Sequence, residues 1–230
     1  MQKQVIIIFG PPGAGKGTQA SLLSEKLGFY HLESSKVIER CFNKENPEKI
    51  FAVDGKDYKV ADEKNNWKNG ILASPPFATF LMTEEIEKLA NQEESFILSG
   101  SPRTIYEVEK EMPVLGKLFG KENIKIILLE IKPETTIFRN SHRKICELMR
   151  HSILFDKETE NLTICPLDGS KLVKRNGLDD PETIKVRIKE YEKRTLPMVE
   201  YFNKNNFNLH RISGEQTVAE VFADVLKAIE

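Results

Sequence analysis

Val5–Phe9 read Val-Ile-Ile-Ile-Phe, and Gly10–Thr18 follow at once as Gly-Pro-Pro-Gly-Ala-Gly-Lys-Gly-Thr. Five consecutive apolar residues ending on a glycine predict a strand covered on both faces, as in the middle of a parallel sheet. The glycines behind it let the backbone bend, so that successive N–H groups point into one concavity that suits an anion. Lys16 adds a point charge for outer phosphates, and Gln19 to Leu27 continue as a helix whose positive end faces the same place. Strand, glycine loop, lysine and helix in this order predict a phosphate-binding loop. One detail departs from the general pattern: Gly17 follows the lysine, and the hydroxyl residue, Thr18, comes one place late.

The rest of the chain alternates in the same way. Apolar runs at Phe29–Leu32, Phe96–Ser99, Ile124–Ile131 and Phe207–Ile212 predict four more strands, with helices between them. These include Ser34–Phe42, a helix from Pro75 to about Asn91, another to about Phe119 interrupted near Pro113, and one opened by Pro133. A long helix is predicted from Asp180 to Leu196, and a last one carries Val218, Val221, Phe222, Val225 and Leu226 on one face. Residues 43–66 read as a polar surface excursion with turns. Residues 145–178 break the rhythm with short strands and turns. The expectation is an α/β three-layer fold, a five-stranded parallel sheet flanked by helices, with a small lid insertion. The core would span 1–144 and 179–230, with an excursion at about 33–74 and a lid at 145–178.

Of the 230 residues, 40% are hydrophobic and 30% charged, and the net charge is -1. That balance argues against a nucleic-acid or membrane-surface protein, where a basic excess is expected. No apolar run approaches a membrane span, and the amino-terminal run is too short for a secretory signal. Three cysteines cannot all pair with one another, so they read as reduced thiols or metal ligands in a cytoplasmic protein. Cys41 reads as buried and inert, and His31, His142 and His210 as ordinary polar residues.

Transfer of a phosphoryl group needs cations converging from several elements. Candidates are Arg103, behind the strand Phe96–Ser99; Arg139 and Arg143, one helical turn apart; Arg175; and Arg187. Any one arginine is more often a solvated surface residue. Arg103 differs because it follows a strand at the same sheet edge as the phosphate loop, where open α/β sheets bind ligands.

These residues carry a resemblance. Gly10–Ala20 is similar to the opening of adenylate kinases and related nucleoside monophosphate kinases, and Gly-Ser-Pro-Arg-Thr at 100–104 resembles their Gly-Phe-Pro-Arg-Thr. Arg139-Asn-Ser-His-Arg143 resembles the entry to their lid. Cys165-Pro-Leu-Asp168 resembles half of a zinc-type lid, Arg175, Asp179 and Arg187 its exit, and Ile212-Ser213-Gly214 the segment over the ATP base. The resemblance implies reversible, Mg²⁺-dependent transfer from ATP to a nucleoside monophosphate, AMP first. It implies a monomer with these substrates as partners. It assigns ATP to Pro12, Gly13, Ala14, Gly15, Lys16, Gly17, Thr18, Arg139 and Gln216, and the monophosphate to Ser34, Arg40, Leu72, Gly100, Arg103 and Glu107. Lys16, Arg103, Arg143, Arg175 and Arg187 would be catalytic.

The match has gaps. The family's arginine that grips the monophosphate falls at Glu39, with Arg40 one place on, about 100° around a helix; Lys36 is a candidate for the lost charge. Ser99 stands where an aspartate orders water around Mg²⁺. Glu107 stands where a glutamine reads adenine. A carboxylate offers only acceptors, so GMP is an alternative acceptor. Gly70-Ile71-Leu72 resembles the segment lining the base. In the lid Met149 replaces a cysteine, which leaves Cys146, His151, Cys165 and Asp168 as zinc ligands or, alternatively, a lid without metal held by packing. Another alternative is an ATP-binding protein that has lost transfer.

Overall fold

The computed structural model describes residues 3–69, 71–175 and 179–230. In chain order the elements are β1 (Val5–Phe9), α1 (Lys16–Leu27), β2 (Tyr30–Glu33), α2 (Ser34–Lys44), β3 (Ile50–Val53), β4 (Lys56–Lys59), α3 (Val60–Lys68), α4 (Pro75–Asn91), β5 (Phe96–Ser99) and α5 (Ile105–Phe119). Then come β6 (Ile124–Glu130), α6 (Pro133–His142), β7 (Lys144–Cys146), β8 (Ser152–Ile153), β9 (Leu172–Val173), α7 (Pro181–Glu190), α8 (Met198–Lys204), β10 (Leu209–Ser213) and α9 (Val218–Ile229). The five-stranded sheet runs β10-β6-β1-β5-β2, with every pairing parallel.

β1 pairs with β5 on one side and β6 on the other, and all five of its residues are buried. Side chains alternate along a strand. Val5, Ile7 and Phe9 therefore join one core with α2, α4, α5 and α8, while Ile6 and Ile8 join a second with α1 and α9. These are the two helical layers the sequence predicts. Because all strands run the same way, their carboxyl ends open on one edge, and the loops behind β1, β2 and β5 meet there.

Three segments differ from their sequence reading. Residues 43–66 do not form an irregular excursion: they hold the β3–β4 hairpin and most of α3. Asp54 and Gly55 both take positive φ, 50° and 74°, as a tight two-residue hairpin turn requires. Phe51 packs on Phe77 and Phe80 at ring-centroid distances of 5.5 and 5.7 Å, and Asp54 accepts hydrogen bonds from the Tyr106 hydroxyl and Lys110. The hairpin is thus seated on α4 and tied to α5. Pro113 does not interrupt α5. It lies on the exposed side, near exposed Glu109, where a carbonyl that lacks its helical donor can meet water. The long helix from Asp180 is broken after Glu190 by one π turn, Tyr191–Thr195, in which Leu196 N donates to Tyr191 O at 2.9 Å. Pro197, which has no N–H, follows.

β7, β8 and β9 form a separate antiparallel sheet within the predicted lid block, whose last residues, 176–178, lie outside the described residues, as does Gly70. Among the described residues no helix is long and apolar enough to cross a membrane.

The larger core depends on its aromatic seam. Phe77 is fully buried between Phe42 and Phe51. Phe77→Ala is expected to cost about 3–5 kcal/mol of unfolding free energy, measured by equilibrium urea denaturation.

Candidate active site

The glycine loop forms as its sequence predicts. Gly13 and Gly15 take positive φ, 83° and 91°, and a Cβ on Gly13 would lie 2.7 Å from Asn140 Nδ2. Gly15 caps α1, so the helix begins at Lys16, earlier than predicted. Pro12 and Ala14 complete the loop, with Ala14 N bonded to Pro11 O at 3.2 Å, and Gly17 and Thr18 lie in the first turn of α1. Lys16 Nζ donates to the carbonyls of Gly10 and Pro11, both at 2.8 Å.

Lys16 is also where the candidate cations converge. Burial, followed by the charges of Arg103, Arg187, Arg143 and Arg175, holds its pKa well below the ordinary lysine value. Burial and the neighbouring arginines likewise lower Arg143 to about 10 and Arg187 to about 9. A guanidinium does not give up its proton in a protein, so both arginines stay charged; burial is the larger cause of these shifts and the neighbouring cations the smaller, and a bound anion would offset both. The carboxylate that Arg143, Arg175 and Arg187 share is Asp179, nearly inaccessible. Its Oδ2 accepts from Arg175 Nε at 2.9 Å, its Oδ1 accepts from Arg175 Nη2, and Arg187 Nη1 lies 3.9 Å from Oδ1.

At the second end, Arg103 Nε donates to the Gly100 carbonyl. Ser34 Oγ donates to the same oxygen at 2.6 Å, and Arg103 Nη2 lies 3.4 Å from Ser34 Oγ. Arg103's own carbonyl accepts from Thr195 Oγ1 at 2.7 Å, across from the π turn. Ser34, Gly100 and Arg103 line a narrow cleft together with Ile38, Trp67, Leu72, Ala78 and Met82. Leu72 and Glu107 therefore fall at the same place as Ser34 and Arg103. Arg40 does not line this cleft: it pairs with Glu85 of α4 at 3.2 Å, because one step along α2 turns it toward that helix. Lys36 pairs with Glu33 at 3.3 Å, and Glu39 with Arg150 at 3.5 Å.

Glu107 is not an exposed helical glutamate. It is buried, and accepts from Arg103 N at 2.8 Å and from the Thr104 hydroxyl at 3.0 Å. Burial raises its pKa, opposed by the Arg103 N–H and charge. Glu111, one helical turn on, is also fully buried, and sequence reasoning passed over it. A carboxylate beside the apolar stripe Val108, Met112, Leu115 was the available signal.

Gln216 lies in the turn behind β10 and Arg139 on α6. Arg139 Nη1 lies 3.4 Å from Gly13 O; the Gln216 amide donates to Ser213 O at 3.1 Å and Asp224 at 2.8 Å. Glu215 clamps this turn to α6 through Lys132 N and Thr135. Ser99 is buried and bonded to His31 Nε2 at 2.8 Å, so His31 has a partner that the sequence did not reveal.

In the small sheet Cys146, His151, Cys165 and Asp168 bring one ligand atom each to within 4.8 Å of one another. His151 Nδ1 lies 3.5 Å from Cys146 Sγ, 3.6 Å from Cys165 Sγ and 3.2 Å from Asp168 Oδ2. Ligand atoms about 3.3–3.8 Å apart are what tetrahedral zinc bonds produce. Met149 points away and is 63% exposed.

The adenylate kinase family model matches residues 8–207. An adenylate kinase of Petrotoga mobilis is 30% identical over 97% of this chain and 96% of its own. One of Caldicellulosiruptor saccharolyticus is 31% identical over 97% and 98%, and one of Borrelia turicatae 29% over the same shares. A phosphate loop facing four arginines, and a profile matched over most of the chain, lead to one conclusion: the chain belongs to the adenylate kinase family.

Proposed function

We propose that the chain transfers the γ-phosphoryl group of ATP to AMP, reversibly, giving two molecules of ADP. The observation that carries this reading is the convergence of Arg103, Arg143, Arg175 and Arg187 on Lys16. A protein that only bound ATP would need the loop; it would not need cations from four further segments. A triphosphate and a monophosphate meeting end to end do need them, because charge accumulates on the oxygens around the moving phosphorus.

In this reading the amides of Pro12 to Thr18 hold the ATP phosphates, with Arg139 and Gln216 beside its base. AMP occupies the cleft, its phosphate against Ser34, Gly100 and Arg103 and its base against Leu72 and Glu107. The attacking group is an AMP phosphate oxygen, already ionised at neutral pH, so no side chain has to remove a proton. Lys16, Arg103, Arg143, Arg175 and Arg187 neutralise the transferring group and hold the two ends in line. Block 145–178 acts as a lid that excludes water, and the Glu39–Arg150 pair joins it to α2.

Magnesium enters with ATP. The chain offers it little: Thr18 has a hydroxyl, Ser99 is neutral and bonded to His31, and the Glu33 carboxylate is engaged by Ser35 and Lys36. Phosphate oxygens and water suit the ion as its main ligands. The lid cluster is a better metal site. Cys146, His151, Cys165 and Asp168 provide two thiolates, an imidazole and a carboxylate, a donor set suited to structural zinc.

Arg103→Ala is expected to lower kcat for ATP plus AMP by about 10²–10³. Arg40→Ala, held at Glu85 by a partly exposed pair, should change KM for AMP by less than about threefold; both are measured in a coupled ADP assay. Protein purified without added metal should carry one zinc per chain by elemental analysis, and Cys165→Ser should lose it along with several degrees of melting temperature; metal-free parent protein would refute the zinc assignment.

A further inference from the structure

The transfer described above leaves Glu111 without a task, although it is fully buried beside the acceptor cleft. Its Oε1 lies 2.8 Å from Ser101 Oγ, and its Oε2 has no hydrogen-bond partner. Ser101 Oγ in turn lies 3.2 Å from Glu107 Oε2. A serine hydroxyl carries one hydrogen and cannot donate to both carboxylates. The chain Glu111–Ser101–Glu107 is therefore continuous only when a second hydrogen sits on one of the carboxyl groups. Its resting place is Glu111. Glu107 accepts from Arg103 N and the Thr104 hydroxyl, donors that suit an anion. Glu111 as an anion would leave Oε2 charged, buried and unpaired, the costlier arrangement. Burial, followed by the charge of Glu107, pushes the Glu111 pKa well above the usual carboxyl range.

The cleft has a polar end, Gly100 and Arg103, and an apolar slot, Trp67, Leu72 and Met82, with Glu107 facing into it. The first suits a phosphate and the second a flat ring. We infer that the Glu111–Ser101–Glu107 chain makes Glu107 a convertible reader of the acceptor base, so that the protein phosphorylates GMP as well as AMP. This rests on the reading of the cleft as the monophosphate site. Guanine presents two adjacent donors on its pairing edge; adenine presents one donor and one acceptor. With the proton on Glu111, Glu107 is a carboxylate and accepts both guanine donors. For adenine the Glu111 hydrogen moves to Ser101 Oγ as the Ser101 hydrogen moves to Glu107 Oε2; the Ser101 hydroxyl then donates to the Glu111 carboxylate, and the new Glu107 O–H swings from Ser101 to the base. Glu107 is then a carboxylic acid with one acceptor and one donor. One proton leaves Glu111 as one arrives on Glu107, so the charge of the site does not change. Glu111 is a positioning residue in this scheme, since it acts on the base only through Ser101 and Glu107.

The test is kcat/KM for AMP and for GMP with ATP, on the full chain and three variants. The parent should turn over both. Glu111→Gln keeps a donor to Ser101 but removes the mobile proton, and should lower AMP efficiency relative to GMP by at least about tenfold. Ser101→Ala breaks the path and should shift the ratio the same way. Glu107→Gln, with one fixed donor and one fixed acceptor, should lower GMP relative to AMP by at least about tenfold. A folding defect would lower both substrates together and leave the ratio in place, which is why the ratio is the readout. GMP turnover by the parent below about a hundredth of AMP turnover, or a ratio unmoved within about twofold by Glu111→Gln and Ser101→Ala, overturns the inference while leaving the kinase reading intact. A parent inactive with both monophosphates overturns the kinase reading itself.

Discussion

Repulsion among like charges at one sheet edge is the constraint around which the molecule is organised. Lys16, Arg103, Arg143, Arg175 and Arg187 come from different segments and act on one another electrostatically, with Asp179 the carboxylate beside Arg143, Arg175 and Arg187, and Glu107 and Glu33 beside Arg103. Such a group is expensive in isolation, because each cation is partly stripped of water beside others of the same sign. The cost is tolerable only on a frame that does not yield. β1, hydrogen-bonded on both sides and buried along its whole length, fixes the loop that carries Lys16. The parallel pairing then delivers the Arg103 loop to the same edge.

Parts of this frame are legible in the chain as written. The apolar run before Gly10 and the loop behind it are contiguous, so neighbouring residues identify them without knowledge of the fold. The arginines are visible one by one, yet their convergence is a property of the sheet edge. Other features hide for physical reasons. Asp54-Gly55 reads as a loop signal, and only the packing of Phe51 on Phe77 and Phe80 turns its flanks into a hairpin. Pro113 reads as a helix breaker, but lies on the side where a lost backbone hydrogen bond costs little. Arg40 is drawn to Glu85 of another helix, which spacing within α2 does not foretell.

The cleft lined by Ser34, Leu72 and Arg103 shows the same limit more sharply. Glu107 can be compared with a glutamine by position alone. Its surroundings cannot: Ser101 and Arg103 N come from the loop before α5, and Glu111 from the next turn of that helix. Polar groups are costly in a buried site, and their protonation answers to neighbours rather than to residue type. The cluster of two cysteines, a histidine and an aspartate is an intermediate case. Cys146, Cys165 and Asp168 keep a recognisable spacing, while His151 joins them because the tight turn that brings its carbonyl to Cys146 N also carries its ring inward.

The π turn at Tyr191–Thr195 follows directly on the helix that carries Arg187, and its last residue, Thr195, bonds the carbonyl of Arg103. One widened helical turn thereby mortises two cations from distant parts of the chain into a single rigid joint. A displacement of the segment behind α7 is therefore felt at the carbonyl of Arg103, and the loop behind β5 and the helix of Arg187 move as neighbours rather than independently.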